Sequence, residues 1–255
     1  EKDVVIFEKL DRVGKKILAT GNGRCNLDNL TAKKEDYNEP PFVSSALEKF
    51  PPQSNLDFWK SLGLLTVSDS EGRVYPRSNS AAAVLDALRF EVEKLGIKII
   101  FDEVKALKKE KNFRINNYEA ENVVVSCGGC SSPSQGSDGS GFTLVKNLGH
   151  SITPLSPSLV QITTDTRFTK LLKGVRVKGK LTLFDKDRIA GESEGEILFA
   201  DYGLSGIATM DLSRFLAKIK ATDKTKIHLD MVTEMTENDI VSYLSDRQKK
   251  NPLLE

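Results

Sequence analysis

The pattern of apolar runs changes once along this chain, near Leu155, and that change restricts the fold more than any other feature. Before it, a strand-like run at Val4-Val5-Ile6-Phe7 is followed by Leu85, Leu88, Val92 and Leu95 at three- and four-residue spacing, and then by Lys98 to Phe101. Strand, helix, strand is the order of an α/β unit. After it, short β-type runs recur at Leu159 to Thr164, Val175 to Phe184, Glu196 to Phe199 and Lys226 to Leu229, with no long helix between the first three. Such spacing suits a small antiparallel sheet or barrel. Pro154 and Pro157 stand at the change, where they discourage helix and central strand alike. Residues 1–155 are expected to form an α/β domain, 156–232 a β-rich barrel domain, and 233–255 the start of a helical segment capped by Thr236.

Within the α/β half, Val4 to Phe7 reads as a strand buried on both faces of a parallel sheet, ended by Glu8. In doubly wound dinucleotide folds an acidic residue ends the second strand, about 20 residues after the glycine turn, and accepts hydrogen bonds from the ribose hydroxyls. Glu8 suits that role, and equally that of a surface residue closing a strand. A helix is expected around Asn79 to Leu95, with Ser78 to Ser80 offering its N-cap and Gly96 its stop. Phe113 to Ile115 and Val123 to Ser126 are expected as strands, the second buried and running into a turn at Cys127-Gly128-Gly129. Gly136 to His150 is glycine-rich and then helical, with Phe142, Val145 and Leu148 on one face. A glycine loop opening a helix sets bare N–H groups beside the positive dipole end, which suits a phosphate, although a plain chain reversal has the same composition.

Charge and cysteine usage narrow the function class. Lys+Arg 37 against Asp+Glu 36 leaves no footprint for nucleic acid or an anionic membrane surface, so neither is expected as a partner. No apolar run approaches the roughly 20 residues of a membrane span. The opening EKDVVIF lacks the layout of a signal peptide, and a cytoplasmic protein is expected. Three cysteines argue for reduced thiols. Cys127 and Cys130 have the C-x-x-C spacing of dithiol oxidoreductases, but they follow a strand run instead of opening a helix. No second pair accompanies them, His150 and His228 stand alone, and no metal site is expected. No Ser-His-Asp ordering or carboxylate pair stands out.

LATGNGRCN, residues 18–26, has two glycines one residue apart and Asn where the third glycine of G-x-G-x-x-G would stand. The following LDNLTAKKEDYNEPP shows no helical period and ends in two prolines, so this is not a dinucleotide fingerprint. Together with EKLDRVGKK before it, GRVYP (Gly72 to Pro76), CGGCSSPSQGSDGSGFTLVKNLGHSITPLSPSLV and GEILFADYGLSGIATMDLS (Gly195 to Ser213), it resembles the bacterial FAD-dependent flavoproteins of the aminoacetone oxidase type, the NAD(P)/FAD-dependent oxidoreductases. The resemblance runs in order over nearly the whole chain. It implies an α/β fold: a partial glutathione-reductase-like FAD-binding domain, an inserted β-barrel domain and the start of a small helical domain. It also implies hydride transfer between a small-molecule substrate or nicotinamide and FAD, with NAD(P)H as a further cofactor. Full members carry more FAD contacts upstream and downstream, so this chain alone is expected to be colourless and cofactor-free. The alternative is a cofactor-free fragment, or a nucleotide- or protein-binding module without catalysis.

The cofactor contacts that the resemblance implies are Glu8, Lys9, Gly14, Lys15, Thr20, Gly21, Gly23, Arg24, Cys25, Asn26, Val104, Cys127, Gly128, Gly129, Gly136, Asp138 and Gly139. Their chemistry suits the role. Gly21 and Gly23 permit positive φ and close backbone approach, and Asn22 tolerates left-handed geometry. Arg24 offers a fork of donors for a phosphate or an anionic flavin, and Asn26 a donor and an acceptor. Cys25 is expected to pack. Leu204, Ser205 and Gly206 resemble a family signature near the active-site cleft, where Ser205 bonds substrate or only backbone. No catalytic residue is singled out. Glu8, the 21–26 loop and the 128–139 stretch are expected to converge on one groove.

Overall fold

The computed structural model describes residues 3–219, 221–222 and 224–251. The chain divides into two compact units, Glu1–Ile152 and Thr153–Glu255.

The first unit runs β1 (Val5–Glu8), α1 (Lys15–Ala19), β2 (Asp28–Asn29), α2 (Pro40–Lys49), α3 (Pro52–Ser61), β3 (Thr66–Ser68), β4 (Arg73–Pro76), α4 (Ala81–Lys94), β5 (Lys98–Phe101), β6 (Leu107–Lys109), β7 (Phe113–Ile115), β8 (Tyr118–Ala120) and α5 (Ser140–Lys146). β1 and β5 pair in parallel, Val5 opposite Lys98 and Glu8 opposite Phe101. Parallel pairing needs a long crossover, which the segment containing α4 completes. Two three-stranded antiparallel sheets, β2-β4-β3 and β6-β7-β8, accompany this pair.

Several expectations for this unit fail for identifiable reasons. Val4 and Val5 are 45% and 39% exposed instead of buried. Among the described residues β1 pairs only with β5, and a two-stranded pair covers little of either face. Val123 to Ser126 forms no strand, and Val124 is 88% exposed. A β-branched run favours a strand only where a neighbour offers a ladder. On α4 the buried side chains are Ala81 and Val84, while Leu95 falls past the last turn and lies exposed. On α5 it is Leu144 that is buried, packing with Leu107 and Ile115, with Leu148 against the same cluster. α2 and α3 have no counterpart in the sequence reading. Each begins at a proline, whose fixed φ and missing N–H cost nothing in a first turn.

The second unit runs β9 (Ile162–Thr163), α6 (Thr166–Thr169), β10 (Arg176–Asp185), β11 (Arg188–Ala200), β12 (Gly203–Ser205), α7 (Ile207–Leu216), β13 (Thr225–Asp230) and α8 (Glu237–Lys250). Its strands form one antiparallel sheet in the order β13-β10-β11-β12-β9. Among the described residues this is an open sheet with β13 and β9 at its edges, not the expected barrel. α7, which the spacing of the runs does not announce, covers one face instead. β10 alternates Lys178, Lys180 and Thr182 with buried Gly179, Leu181 and Leu183, the period-two pattern of a half-buried strand. Leu181, Leu183, Ile197, Ala208 and Leu212 are fully buried, and each large side chain among them contributes about 1.5–3 kcal/mol. α8 starts in a capping box, with Thr236 Oγ1 accepting from Asp239 N–H and Asp239 accepting from Thr236 N–H. Among the described residues no helix is long and apolar enough to cross a membrane.

Candidate functional site

Glu8 ends β1, and its Oε1 accepts the N–H of Leu10 at 2.9 Å, which turns the chain at the carboxyl end of the parallel pair. Lys9 then reaches the glycine-rich stretch before α5. Its Nζ donates to Asp138 Oδ2 at 2.5 Å and lies 3.5 Å from Ser140 Oγ. Asp138 Oδ1 accepts the N–H of Ser140 at 3.0 Å. The Lys9 ammonium above all, with the Ser140 hydroxyl and N–H, holds the Asp138 carboxyl well below the usual carboxylate range. Lys16 of α1 adds a second tie, donating to Ser137 Oγ at 3.0 Å. Ser137 is buried, and it packs so close to Gly128 that a Cβ there would stand 2.6 Å from its Oγ. The N–H of Gly139 donates to Gly129 O at 2.9 Å, and Gly136 lies against the Leu10 side chain.

Five residues of α1, about 7.5 Å of helix, connect this junction to the 20–26 turn. There Gly21, Asn22 and Gly23 take φ of 55°, 55° and 81°, and Cys25 follows at 59°. The first three match the residues' tolerance, whereas nothing in the sequence argued for a left-handed cysteine. Cys25 is buried with Leu64, Ala81 and Val84, and its N–H donates to Thr20 O at 3.1 Å. That packing holds a conformation that costs on the order of 1–3 kcal/mol. The Arg24 guanidinium stacks 4.4 Å from the centre of the Tyr75 ring, and its Nε donates to Gly21 O at 3.3 Å.

The structure thus joins Glu8, Lys9, Gly128, Gly129, Gly136, Asp138 and Gly139 at one junction. The 20–26 turn reaches it through α1, with no hydrogen bond to the 128–139 stretch among the described residues. The remaining positions shape the surroundings. Gly14 caps α1 where a Cβ would run into Leu85 of α4. Lys15 pairs with Asp11 and holds that carboxyl below its usual range. The Val104 side chain is half-buried against the Leu107, Ile115 and Leu144 cluster. Cys127 and Cys130 are exposed free thiols, Cys127 lying against Gly141. Ser205 is buried in β12, and His228 stacks on Phe184 with ring centres 4.5 Å apart. Among the described residues no group of three or more His, Cys, Asp or Glu is placed to hold a metal. Lys16, Ser137, Ser140 and Tyr75 belong to this arrangement although the sequence reading assigns them no role. The signal that could have found them is the resemblance, since Lys16 lies in EKLDRVGKK, Tyr75 in GRVYP, and Ser137 and Ser140 in the segment that begins CGGCSSPSQ.

The donor set fits a dinucleotide. Glu8 Oε2 has no hydrogen bond among the described residues and can accept from a ribose hydroxyl. Lys9, Lys16 and Arg24 offer cations for a pyrophosphate or an anionic ring. At Gly23 and Gly129 an added Cβ would meet nothing within 4 Å, so the bare backbone stands open to a flat group.

Residues 1–244 match the family model described as HI0933-like protein Rossmann domain. The chain is 36% identical over 261 residues to a 3-dehydro-bile acid delta(4,6)-reductase of Clostridium scindens, which covers 99% of this chain and 64% of that protein. It is 27% identical over 230 residues to a ribosomal RNA dihydrouridine synthase of Haemophilus influenzae, covering 84% of this chain and 56% of the relative. The corresponding enzyme name in Escherichia coli matches at 26% over 223 residues, covering 83% and 54%. The chain therefore spans 54% to 64% of the length of these curated relatives.

Proposed function

The chain belongs to the HI0933-like Rossmann-domain family, and from that premise we propose that it serves FAD-dependent hydride transfer to a small, largely apolar substrate. The bond reduced is a carbon–carbon double bond conjugated to a carbonyl, the hydride adding to the carbon β to that carbonyl and a proton from water to the α carbon. The family and the reductase relative support an oxidoreductase. The single observation that carries the finer reading is the Lys9–Asp138 junction at the carboxyl end of β1, the place where open α/β sheets bind dinucleotides.

In this reading Glu8 accepts from the ribose hydroxyls. Lys9, Lys16 and the backbone of Gly136 to Gly139 face the pyrophosphate, and Gly21, Gly23, Arg24 and Asn26 face the flavin ring. Gly14, Lys15 and Thr20 hold α1 and its exit turn in position, Cys25 anchors that turn, and Val104, Cys127, Gly128 and Gly129 contribute backbone. Bound FAD supplies the redox ring, with NAD(P)H as the hydride source.

Reduction is preferred over amine oxidation because the names of all three relatives describe products related by one kind of change. A delta(4,6)-reductase removes double bonds, and dihydrouridine is uridine whose ring double bond has been reduced. A small molecule is preferred over RNA because Lys+Arg 37 barely exceeds Asp+Glu 36, too few for phosphate-driven binding.

Titrating FAD into the protein and following flavin fluorescence tests the proposal. Saturable quenching in the micromolar range, weakened by Arg24→Ala and by Lys9→Met, is expected, followed by bleaching of the flavin band on adding NAD(P)H. No saturable binding would favour the module without catalysis.

A further inference from the structure

Tyr75 is 7% exposed in β4, the central strand of the β2-β4-β3 sheet, with Val67 of β3 opposite it. We infer that it is a positioning residue: by holding the Arg24 guanidinium in one place, it makes the 20–26 turn bind the reduced, negatively charged flavin ring in preference to the neutral oxidised one. The inference rests on the function proposed above, in which that turn faces the flavin.

Arg24 is fixed at two points. Its guanidinium lies over the Tyr75 ring, 4.4 Å from the centre, and its Nε donates to Gly21 O at 3.3 Å. The face of an aromatic ring is the negative part of its quadrupole, and a flat guanidinium stacks well on it. Gly21 lets the turn come this close, since a Cβ there would stand 3.5 Å from Tyr75 Cε1 and 2.8 Å from the backbone nitrogen of Asn26. The tyrosine has little freedom of its own. Val74 and Pro76 on either side of it are fully buried. Asp28 of β2 pairs with Val74, and the N–H of Leu27 donates to Val74 O at 2.8 Å.

What these two holds leave unused defines the ligand. Nε and one face of the guanidinium are occupied, whereas among the described residues the two terminal amino groups have neither a hydrogen bond nor a carboxylate partner. The result is a cation with a free donor edge whose position is set before anything binds, an arrangement that favours a planar anion over a neutral group of similar shape. Oxidised and reduced FAD have nearly the same outline and differ at the ring in charge, so a fixed cation separates them where shape does not. A swinging arginine would spread the same charge over many positions. Arg24 is exposed, so the stack contributes as a solvated cation–π pair does, about two- to fivefold in an equilibrium.

The test compares the dissociation constants of oxidised FAD and of FAD reduced with dithionite, measured anaerobically by equilibrium dialysis at mildly alkaline pH. The unaltered protein should bind the reduced form about tenfold more tightly, the effect of one hydrogen bond to a charged group. Tyr75→Phe, which keeps the ring face, should retain that ratio, and Tyr75→Leu should lower it by about two- to fivefold. A tyrosine that only supported the sheet would, when replaced, weaken both forms alike and leave the ratio unchanged. Arg24→Lys, at an exposed position, keeps the charge without the stack or the fork and should lower the ratio as Tyr75→Leu does, which decides the matter even if the leucine variant does not fold. An unchanged ratio in Tyr75→Leu or Arg24→Lys, or an equal fall in Tyr75→Phe and Tyr75→Leu, would overturn the inference. Equal affinity of the unaltered protein for the two forms sinks it and leaves the flavin reading standing, whereas binding of neither form sinks both.

Discussion

The Nζ of Lys9 stands 2.5 Å from Oδ2 of Asp138, an ion pair between residues 129 positions apart. It ties the end of β1 to the stretch that opens α5, and the N–H of Ser140 depends on the same carboxylate. Replacing Asp138 by Asn should therefore speed hydrogen exchange at Ser140 while leaving amides in β10 unchanged. Lys9→Met should do the same and should also weaken FAD binding about tenfold, the loss expected of one charge-assisted bond. Unchanged exchange at Ser140 in both variants would show that the pair holds nothing in place.

The pH dependence follows from the depressed Asp138 carboxyl, whose chief cause is the hydrogen bond from Lys9. A group that binds its proton less readily in the folded state stabilises the fold above its unfolded pKa, near 3.9. That contribution is lost as pH falls toward the folded value. The difference in urea midpoint between the wild type and Asp138→Asn should be level between about pH 5 and 8 and should narrow below about pH 4. A difference that widens on acidification would contradict this assignment.

Leu183 of β10 is fully buried beneath α7, whereas Ile189 of the neighbouring β11 is 61% exposed. Leu183→Ala should cost about 2–5 kcal/mol in urea denaturation. Ile189→Ala should stay within about 0.5 kcal/mol.

Two glycines with similar φ separate backbone strain from crowding. Gly206 has φ 92° and a Cβ there would stand 2.5 Å from Glu196 O, whereas Gly23 has φ 81° and open space around it. Both Ala variants incur left-handed strain, and only Gly206→Ala also forces two backbones apart. Thermal or urea unfolding should show Gly206→Ala as the more destabilising by at least about 1 kcal/mol. Equal losses would mean that the crowding is relieved by a small shift.

Cys127 and Cys130 are exposed and Cys25 is buried. An aromatic disulfide reagent should therefore titrate two thiols promptly in native protein and the third only on unfolding. Prompt reaction of all three would mean that the 20–26 turn opens readily.

Much of this architecture is written locally. The order of β1, α4 and β5, the strands β7, β10 and β13, the change of texture near Leu155 and the Thr236 cap follow from apolar period, β-branched content and cap chemistry, all properties of short segments. Gly21, Asn22 and Gly23 likewise take the left-handed conformations that their own sterics allow. The tertiary structure decided what depends on a neighbour. Val123 to Ser126 has strand composition and no ladder partner among the described residues, so it forms no strand. Cys25 is left-handed because the packing of Leu64, Ala81 and Val84 outweighs its preference. Arg24 over Tyr75 and Lys9 against Asp138 are contacts between segments far apart in sequence. Their energy is gained only once the backbone has already brought the two sides together, and no local pattern of residues carries that information.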